Sequence, residues 1–286
     1  MSKPLVSVIT PSYNQADFLE DTIRSVLTQD YENIEYIVID GGSDDGSVDI
    51  IKRYAGSLKY WVSEPDSGQS DAINKGFDHA SGEIMCWINS DDLLKPGTIS
   101  HVVSQLSPGK PCWLIGRSEL INNSSVISTR DVEPLGIDTF INWQDRWFAQ
   151  QATFWTRELW AAGGPLDNDR HYVMDVDLWY KFFQIVEPIR SDQVLAAYRY
   201  HAEAKCVASE SEVDKEFSNW LTLVLEDRLK DANNSKDLEL LVKSLIGQQR
   251  ERQSLQLFRD RMSRHPVIGR VIKLWAKFVN SDLADL

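Results

Sequence analysis

Four short stretches of this chain combine residue types and spacing that could do chemistry. Asn89-Ser90-Asp91-Asp92 follows the apolar run Ile84 to Ile88. Adjacent carboxylates repel, and a strand end tolerates them most readily when a cation or a set of donors offsets their charge. A hard divalent ion held by one or two carboxylates and completed by substrate phosphates is the arrangement expected of Mg2+ or Mn2+. Helix capping is the other use of such a pair, and spacing alone leaves both open.

Met174-Asp175-Val176-Asp177-Leu178-Trp179 opens a segment of helical period. Asp175 is expected either to cap that helix or to act as a general base. Asp177, two residues on, points to a different face, so one of the two at most addresses a given substrate atom. Asp40-Gly41-Gly42-Ser43-Asp44-Asp45-Gly46-Ser47 follows a second buried run, with Asp44, Asp45 and Ser47 read as caps of the next helix. Asp40 ends the strand itself and is expected to face outward rather than cap anything. Tyr198-Arg199-Tyr200-His201 reads as a strand ending in histidine, which is structural or completes a metal site beside other acids.

The elements that must position these groups alternate in the first hundred residues. Strand-like runs at Leu5–Thr10, Ile34–Ile39, Lys59–Val62 and Ile84–Ile88 are separated by helical periods, the first over Ala16–Gln29. This is the signature of βαβ units on a mostly parallel sheet, whose ligands bind outside the carboxyl ends of the strands. All four strands end in polar residues, so those ends should converge on one crevice. From Cys112 the pattern loosens into a strand, a hairpin across Asn122-Asn123 and a stretch with Trp143, Trp147, Trp155, Trp160 and Trp179. Trp155 and Trp179 are expected in the core, while Trp143, Trp147 and Trp160 are open to the core or to stacking on a ligand ring. After Ser209 the chain reads as helical, near 212–230, 236–262 and 267–279.

With 286 residues, 42% hydrophobic and 26% charged, the chain is long enough for a sizeable core and ordinary in composition. A net charge of −13 weighs against nucleic acid as a partner. The cysteines Cys86, Cys112 and Cys206 have no metal or redox spacing and read as buried residues of a cytoplasmic protein. No apolar run is long enough to span a membrane and no signal peptide is expected. Pro11-Ser12-Tyr13-Asn14 stands where a dinucleotide-binding fold needs its glycines, and the P-loop pattern is missing, so neither of those classes applies.

The motifs Val8-Ile9-Thr10-Pro11-Ser12-Tyr13-Asn14, Ile39 to Gly46, Glu64 to Gly76 (Glu-Pro-Asp-Ser-Gly-Gln-Ser-Asp-Ala-Ile-Asn-Lys-Gly) and Asn89-Ser90-Asp91-Asp92 occur in that order. Gln150 to Trp155, Gly163 to Asp167, Met174 to Trp179 and Tyr198 to His201 follow them. In this succession, over roughly residues 4 to 205, the chain resembles the inverting family 2 glycosyltransferases of the GT-A fold, an α/β Rossmann-like sheet flanked by helices. The resemblance implies a nucleotide-sugar donor, UDP-linked by preference, and a glycan or lipid-linked acceptor. It implies a donor site of Thr10, Pro11, Tyr13, Asn14, Asp40, Gly68, Gln69, Asp71, Ser90 and Asp91, with Tyr13 against the base and Asp40 accepting from base or ribose. It implies a divalent cation, Mn2+ or Mg2+, held by Asp92 with His201 as a further ligand, and Asp175 as the catalytic base. Met174 replaces an acidic residue common in the family, which removes one polar contact.

The implied organisation is a transfer domain over 1–208, its donor half to about 110 and its acceptor half beyond, with a helical extension over 209–286. Residues 250–277 hold eight basic side chains against two acidic ones. Val267 to Val279 adds an apolar stripe, which suits an anionic membrane surface at the inner face, the protein's own core, or a homodimer contact. A reading from another class is a non-catalytic glycan- or nucleotide-binding or assembly module on the same fold. Retention of Asp40, Asp92, Asp175 and His201 together speaks against it.

Overall fold

The structure is a computed structural model that describes residues 3–122, 125–132, 136–141, 148–201, 203–205 and 209–230. The turn at Asn123, Trp143, Trp147, Cys206 and the helical segments expected after residue 230, basic stripe included, lie outside the described residues.

The chain runs β1 (Val6–Ser12), α1 (Ala16–Leu27), β2 (Ile34–Asp40), α2 (Ser47–Tyr54), β3 (Tyr60–Ser63), α3 (Gln69–Asp78), β4 (Ile84–Trp87), β5 (Leu93–Leu94) and α4 (Thr98–Gln105). It continues through β6 (Trp113–Asn122), β7 (Ser125–Arg130), α5 (Ile137–Ile141), β8 (Thr153–Thr156), α6 (Arg157–Gly163), α7 (Met174–Ile185), β9 (Ile189–Arg199) and α8 (Glu210–Lys230). Strands β3, β2, β1 and β4 lie side by side and parallel, and β1 is buried along its whole length. Such strands are covered on both faces and read as unbroken apolar runs, which is why their positions are plain in the sequence. The sheet is less parallel than expected: β8 pairs antiparallel with β4 and β6, and β5 antiparallel with β9, while β6 and β9 run parallel. Among the described residues the result is a mixed Rossmann-like α/β sheet of nine strands flanked by helices, the fold class expected from the sequence.

Helix α1 buries Leu19, Ile23 and Val26 at helical spacing. Its first turn is capped from a neighbouring loop: Ala16 N–H donates to Asp45 Oδ2 at 2.8 Å and Gln15 N–H to Ser47 Oγ at 3.1 Å. Asp45 and Ser47 therefore cap α1, and Asp45 also serves α2 as expected, its Oδ1 accepting the N–H of Ser47 at the start of that helix at 2.9 Å. Adjacent parallel strands set their two βα loops side by side, so each loop can supply the other's orphan donors. Helix α3 lies so close on β1 that a Cβ at Gly76 would meet Ile9 Cγ2 at 2.3 Å.

The core beneath the second half is aromatic. Trp87 and Trp179 stack at 5.6 Å and 7°, Trp113 stacks on Trp179 at 5.7 Å, and Trp155 meets Trp87 edge-on at 5.4 Å. Trp155 and Trp179 are core residues, as expected. Trp160 packs on Phe77 of α3 at 4.3 Å. Burial of each such side chain contributes about 1.5–3 kcal/mol, enough to fix α7 on the sheet. Cys86 and Cys112 are free and buried.

The chain divides into two compact units, Met1–Ile141 with Asp145–Val213, and Asn142–Gln144 with Asp214–Leu286. The first contains the whole sheet. In the second, the described residues belong to α8, where the rings of Phe217 and Trp220 stand 5.6 Å apart. Among the described residues no helix is long and apolar enough to cross a membrane.

Candidate functional site

The aspartate motif is positioned by a strand pairing far away in sequence. Leu93 and Leu94 of β5 pair with Ala197 and Ala196 of β9, which carries residues 91–92 alongside 199–201. Asp92 is wholly buried; its Oδ1 accepts the Arg199 N–H at 3.0 Å and its Oδ2 the Asn89 amide at 3.4 Å. Burial, then the charge of Asp91, pushes its carboxyl well above the ordinary range. Asp91 keeps a partly open side chain, and its Oδ2 lies 3.0 Å from His201 Nε2. The carboxylate beside His201 is thus Asp91, while Asp92, the expected cation ligand, is buried with its Oδ1 on the Arg199 N–H of β9. The Thr22 hydroxyl reinforces that hold, donating to the carbonyls of Ser90 and Asp92 at 2.9 and 2.8 Å.

Arg199, which no motif argument singled out, braces the pair. Its Nε donates to the Asp91 carbonyl at 3.0 Å, its Nη2 meets Asp21 Oδ2 at 3.2 Å, and its guanidinium lies over Phe18 at 5.1 Å. The same Phe18 ring lies 4.6 Å from the His201 ring. One carboxylate oxygen and one imidazole nitrogen at this separation fit two positions of a divalent ion's shell. Among the described residues no third His, Cys, Asp or Glu joins them, so the other positions would be left to a bound diphosphate and water. The residues present therefore fit such an ion only together with its substrate.

On the donor side, Thr10 is buried with its hydroxyl 2.9 Å from Tyr36 Oη, and Pro11 pairs with Ile39 inside the sheet. Asp40 does not stand clear of its loop as expected: it is fully buried and caps that loop. Its Oδ2 accepts from Gly42 N–H (3.1 Å), Ser43 N–H (2.9 Å) and Ser63 Oγ (2.7 Å), and its Oδ1 from Ser43 Oγ (2.6 Å). A carboxylate at a strand end is close enough to the amides two and three residues on that folding of the loop engages it. Tyr13, by contrast, is 64% exposed. Tyr13 and Asp66 flank Gly41, where a Cβ would lie 2.8 Å from Asp66 Oδ2 and 3.3 Å from Tyr13 Cδ2. Asn14 sits at φ 50° and accepts the Asp44 N–H. Gly68 enters α3 at φ +112°, a conformation open to glycine, with its N–H on Asp66 Oδ1 at 2.8 Å. Asp71 accepts the Ser67 N–H at 3.0 Å and pairs with Lys75 at 3.5 Å. Gln69 donates to Asn89 Oδ1 at 2.8 Å, joining the turn before α3 to the aspartate motif, and Ser90 is buried beneath them.

Helix α7 supplies the remaining acid. Its N-cap is Val173, so Asp175 lies within the first turn rather than at the cap. Burial pushes the Asp175 carboxyl up to about 6, against the opposing pull of the Val176 N–H and the charge of Lys205. Asp177 has no such freedom: it is paired with Lys181 at 2.9 Å and Arg170 at 3.4 Å. The segment leading into α7 is laced to α3. Ser70 Oγ reaches Met174 Sδ at 2.9 Å and the Arg170 carbonyl at 3.1 Å, and Asn74 bonds both the N–H and the carbonyl of Leu166 at 3.0 and 2.9 Å. Met174 thus keeps a polar contact through sulfur. Asp66, Asn74, Arg199 and Lys205 join the site without having been read from the sequence. Asp66 and Asn74 stand in the motif from Glu64 to Gly76 and Arg199 in the motif ending at His201, whereas nothing local marks Lys205.

Comparison with known proteins agrees with this architecture. The glycosyl transferase family 2 profile matches residues 7–150. An uncharacterized glycosyltransferase of Mycobacterium tuberculosis is 34% identical over 202 residues, covering 69% of this chain and 76% of that protein. Among solved structures, Staphylococcus aureus TarS 1-349 in complex with UDP-GlcNAc superposes with a TM-score of 0.60 at 17% identity, over 91% of this chain and 73% of that one. The mannosyltransferase PcManGT of Pyrobaculum calidifontis, in complex with GDP-Man and Mn2+, gives 0.59 at 17% identity, over 97% and 81%. At such identity these structures speak for the fold alone. The matched profile and the Mycobacterium relative carry the assignment: this chain belongs to glycosyl transferase family 2.

Proposed function

We propose that this protein transfers a sugar from a nucleoside-diphosphate sugar, UDP-linked by preference, to a hydroxyl of a glycan or lipid-linked acceptor, with inversion at the anomeric carbon. The observation that carries this is the partly open Asp175 carboxyl in the first turn of α7, pushed up to about 6 by burial, in a site where Asp91 meets His201 and Asp177 is paired with Lys181 and Arg170. A base of that kind holds its proton poorly at neutral pH yet accepts one readily, as removal of a hydroxyl proton demands. As the acceptor oxygen bonds to the anomeric carbon, its proton passes to an Asp175 carboxylate oxygen, and the bond to the nucleoside diphosphate breaks with its electron pair.

Asp177, neutralised by Arg170 and Lys181, is not free to act as a second, nucleophilic carboxylate, and this supports a single displacement. Asp91 and His201 would hold the divalent ion, which when bound supplies positive charge to the diphosphate leaving group. Tyr13, Asp66 and the Gly68-Gln69 turn would orient the nucleotide. Solved relatives by fold that hold UDP-GlcNAc or GDP-Man with Mn2+ are consistent with such a donor. We assign transfer to residues 1–208 and treat 209–286 as a helical extension, in a cytoplasmic protein.

The test is nucleoside diphosphate release from a panel of nucleotide sugars with Mn2+ or Mg2+. Release from one donor that ceases in excess chelator is expected; no release from any donor, or full release under chelation, contradicts the proposal.

A further inference from the structure

Lys205 stands four residues beyond His201, outside any motif, and connects three separate segments. Its Nζ donates to Gln69 Oε1 at 3.1 Å and to the His171 carbonyl, and it lies 5.3 Å from the centroid of the Tyr172 ring. Gln69 uses its other amide atom on Asn89, and Asn89 in turn reaches Asp92. One ammonium group therefore ties the turn before α3, and through it the aspartate motif, to the segment that enters α7.

We propose that Lys205 is a positioning residue for the transfer reaction: it clamps the donor turn at Gln69 to the base-bearing end of α7 and sets the charge around Asp175. The inference rests on Asp175 being the base. The charged and titratable groups of the segments that meet here are distributed accordingly. On α7, Asp177 is engaged by Lys181 and by Arg170 of the preceding loop. On α3, Asp71 and Lys75 pair with each other. His171 and Tyr172 precede the helix, with Tyr172 under the ammonium itself. Lys205 is the cation whose charge acts on Asp175, and it opposes the upward push of burial. Its removal should raise the proton affinity of Asp175 further and loosen Gln69, two effects that a passive surface lysine would not produce.

The experiment uses the full chain with variants K205M, K205Q and K205R beside D175N. Two readouts are taken: kcat/KM for nucleoside diphosphate release against pH, and titration of the Asp175 carboxyl by carbon-detected NMR without substrate. K205M and K205Q are expected to move both the acid limb and the Asp175 titration upward by about half a pH unit, the direction set by loss of a nearby positive charge. Both are also expected to raise the donor KM several-fold, while K205R stays close to wild type. Coincidence of both neutral variants with wild type in limb and titration overturns the inference. So does a limb that moves while the Asp175 titration stays in place. If D175N turns over as fast as wild type, the base assignment itself has failed, a result separable from failure of the lysine's role because it appears with Lys205 intact.

Discussion

Asp91 Oδ2 and His201 Nε2 meet at 3.0 Å across 110 positions of sequence. The contact is made by the short β5–β9 pairing, and the same pairing sets the Arg199 N–H on Asp92. Two adjacent aspartates thus differ in setting: Asp91 meets an imidazole with its side chain partly open, and Asp92 is wholly buried.

That division is open to a direct comparison. Asp91→Asn and His201→Ala should each weaken Mn2+ binding in the presence of nucleoside diphosphate by at least about tenfold, the scale on which even indirect ligand partners act. Asp92→Asn should leave that affinity closer to wild type. Electron paramagnetic resonance titration of free Mn2+ reads all three. A larger loss in Asp92→Asn than in Asp91→Asn would return the ligand role to Asp92.

Asp175→Asn should lower turnover by roughly 10²- to 10⁴-fold at saturating donor while leaving donor binding nearly intact. The same variant should be more stable than wild type at pH 7. Burial raises the Asp175 carboxyl to about 6, so the folded state disfavours the carboxylate above the ordinary aspartate range. That cost is present above about 6 and fades as pH falls toward the unfolded value, so the stability gain should shrink on acidification. Thermal unfolding at pH 7 and pH 5 checks the sign; a gain that grows at the lower pH contradicts it.

Activity of the wild-type protein should fall as pH drops through about 6, because the base is then protonated before the acceptor arrives. A pH profile of kcat/KM flat from 7.5 to about 5 would remove Asp175 from that role.

Asn74→Ala should cost about 1–2 kcal/mol by urea unfolding, since it removes bonds to both the N–H and the carbonyl of Leu166 in a partly buried joint. Hydrogen exchange should localise the loss to the segment before α7. Unchanged protection there would mean that the joint does not depend on Asn74.

Much of this arrangement is legible in the sequence, for physical reasons that differ from residue to residue. Buried parallel strands announce themselves as apolar runs, so Ile34–Asp40 and Ile84–Trp87 and their polar ends are found without a structure. Asp175 is legible as the acid opening a helix. The different settings of Asp91 and Asp92 are not, because they are made by a strand pairing with residues more than a hundred positions away. Asp40 misleads for the opposite reason: its partners are the next amides and nearby hydroxyls, and a turn that folds back on a carboxylate looks locally like one that presents it. Lys205 has no local signature at all, since its function resides in what three separate segments bring to one ammonium group.

The apolar stripe over Val267–Val279 with its basic face, read from sequence alone, carries its own expectation. Full-length protein should float with anionic liposomes at low salt, each basic residue near the surface contributing about 1 kcal/mol, and a chain ending near Arg259 should not. Equal behaviour of the two chains rules out a membrane role for that segment.

The measurement that bears most directly on the central claim is the initial rate of nucleoside diphosphate release, with Mn2+ and the donor selected from the panel, for wild type, Asp175→Asn and Asp91→Asn. The expected result is metal-dependent release by wild type, a drop of roughly 10²- to 10⁴-fold in Asp175→Asn with donor affinity retained, and loss of the metal response in Asp91→Asn. Release by Asp175→Asn at the wild-type rate, or by wild type regardless of metal, would contradict it.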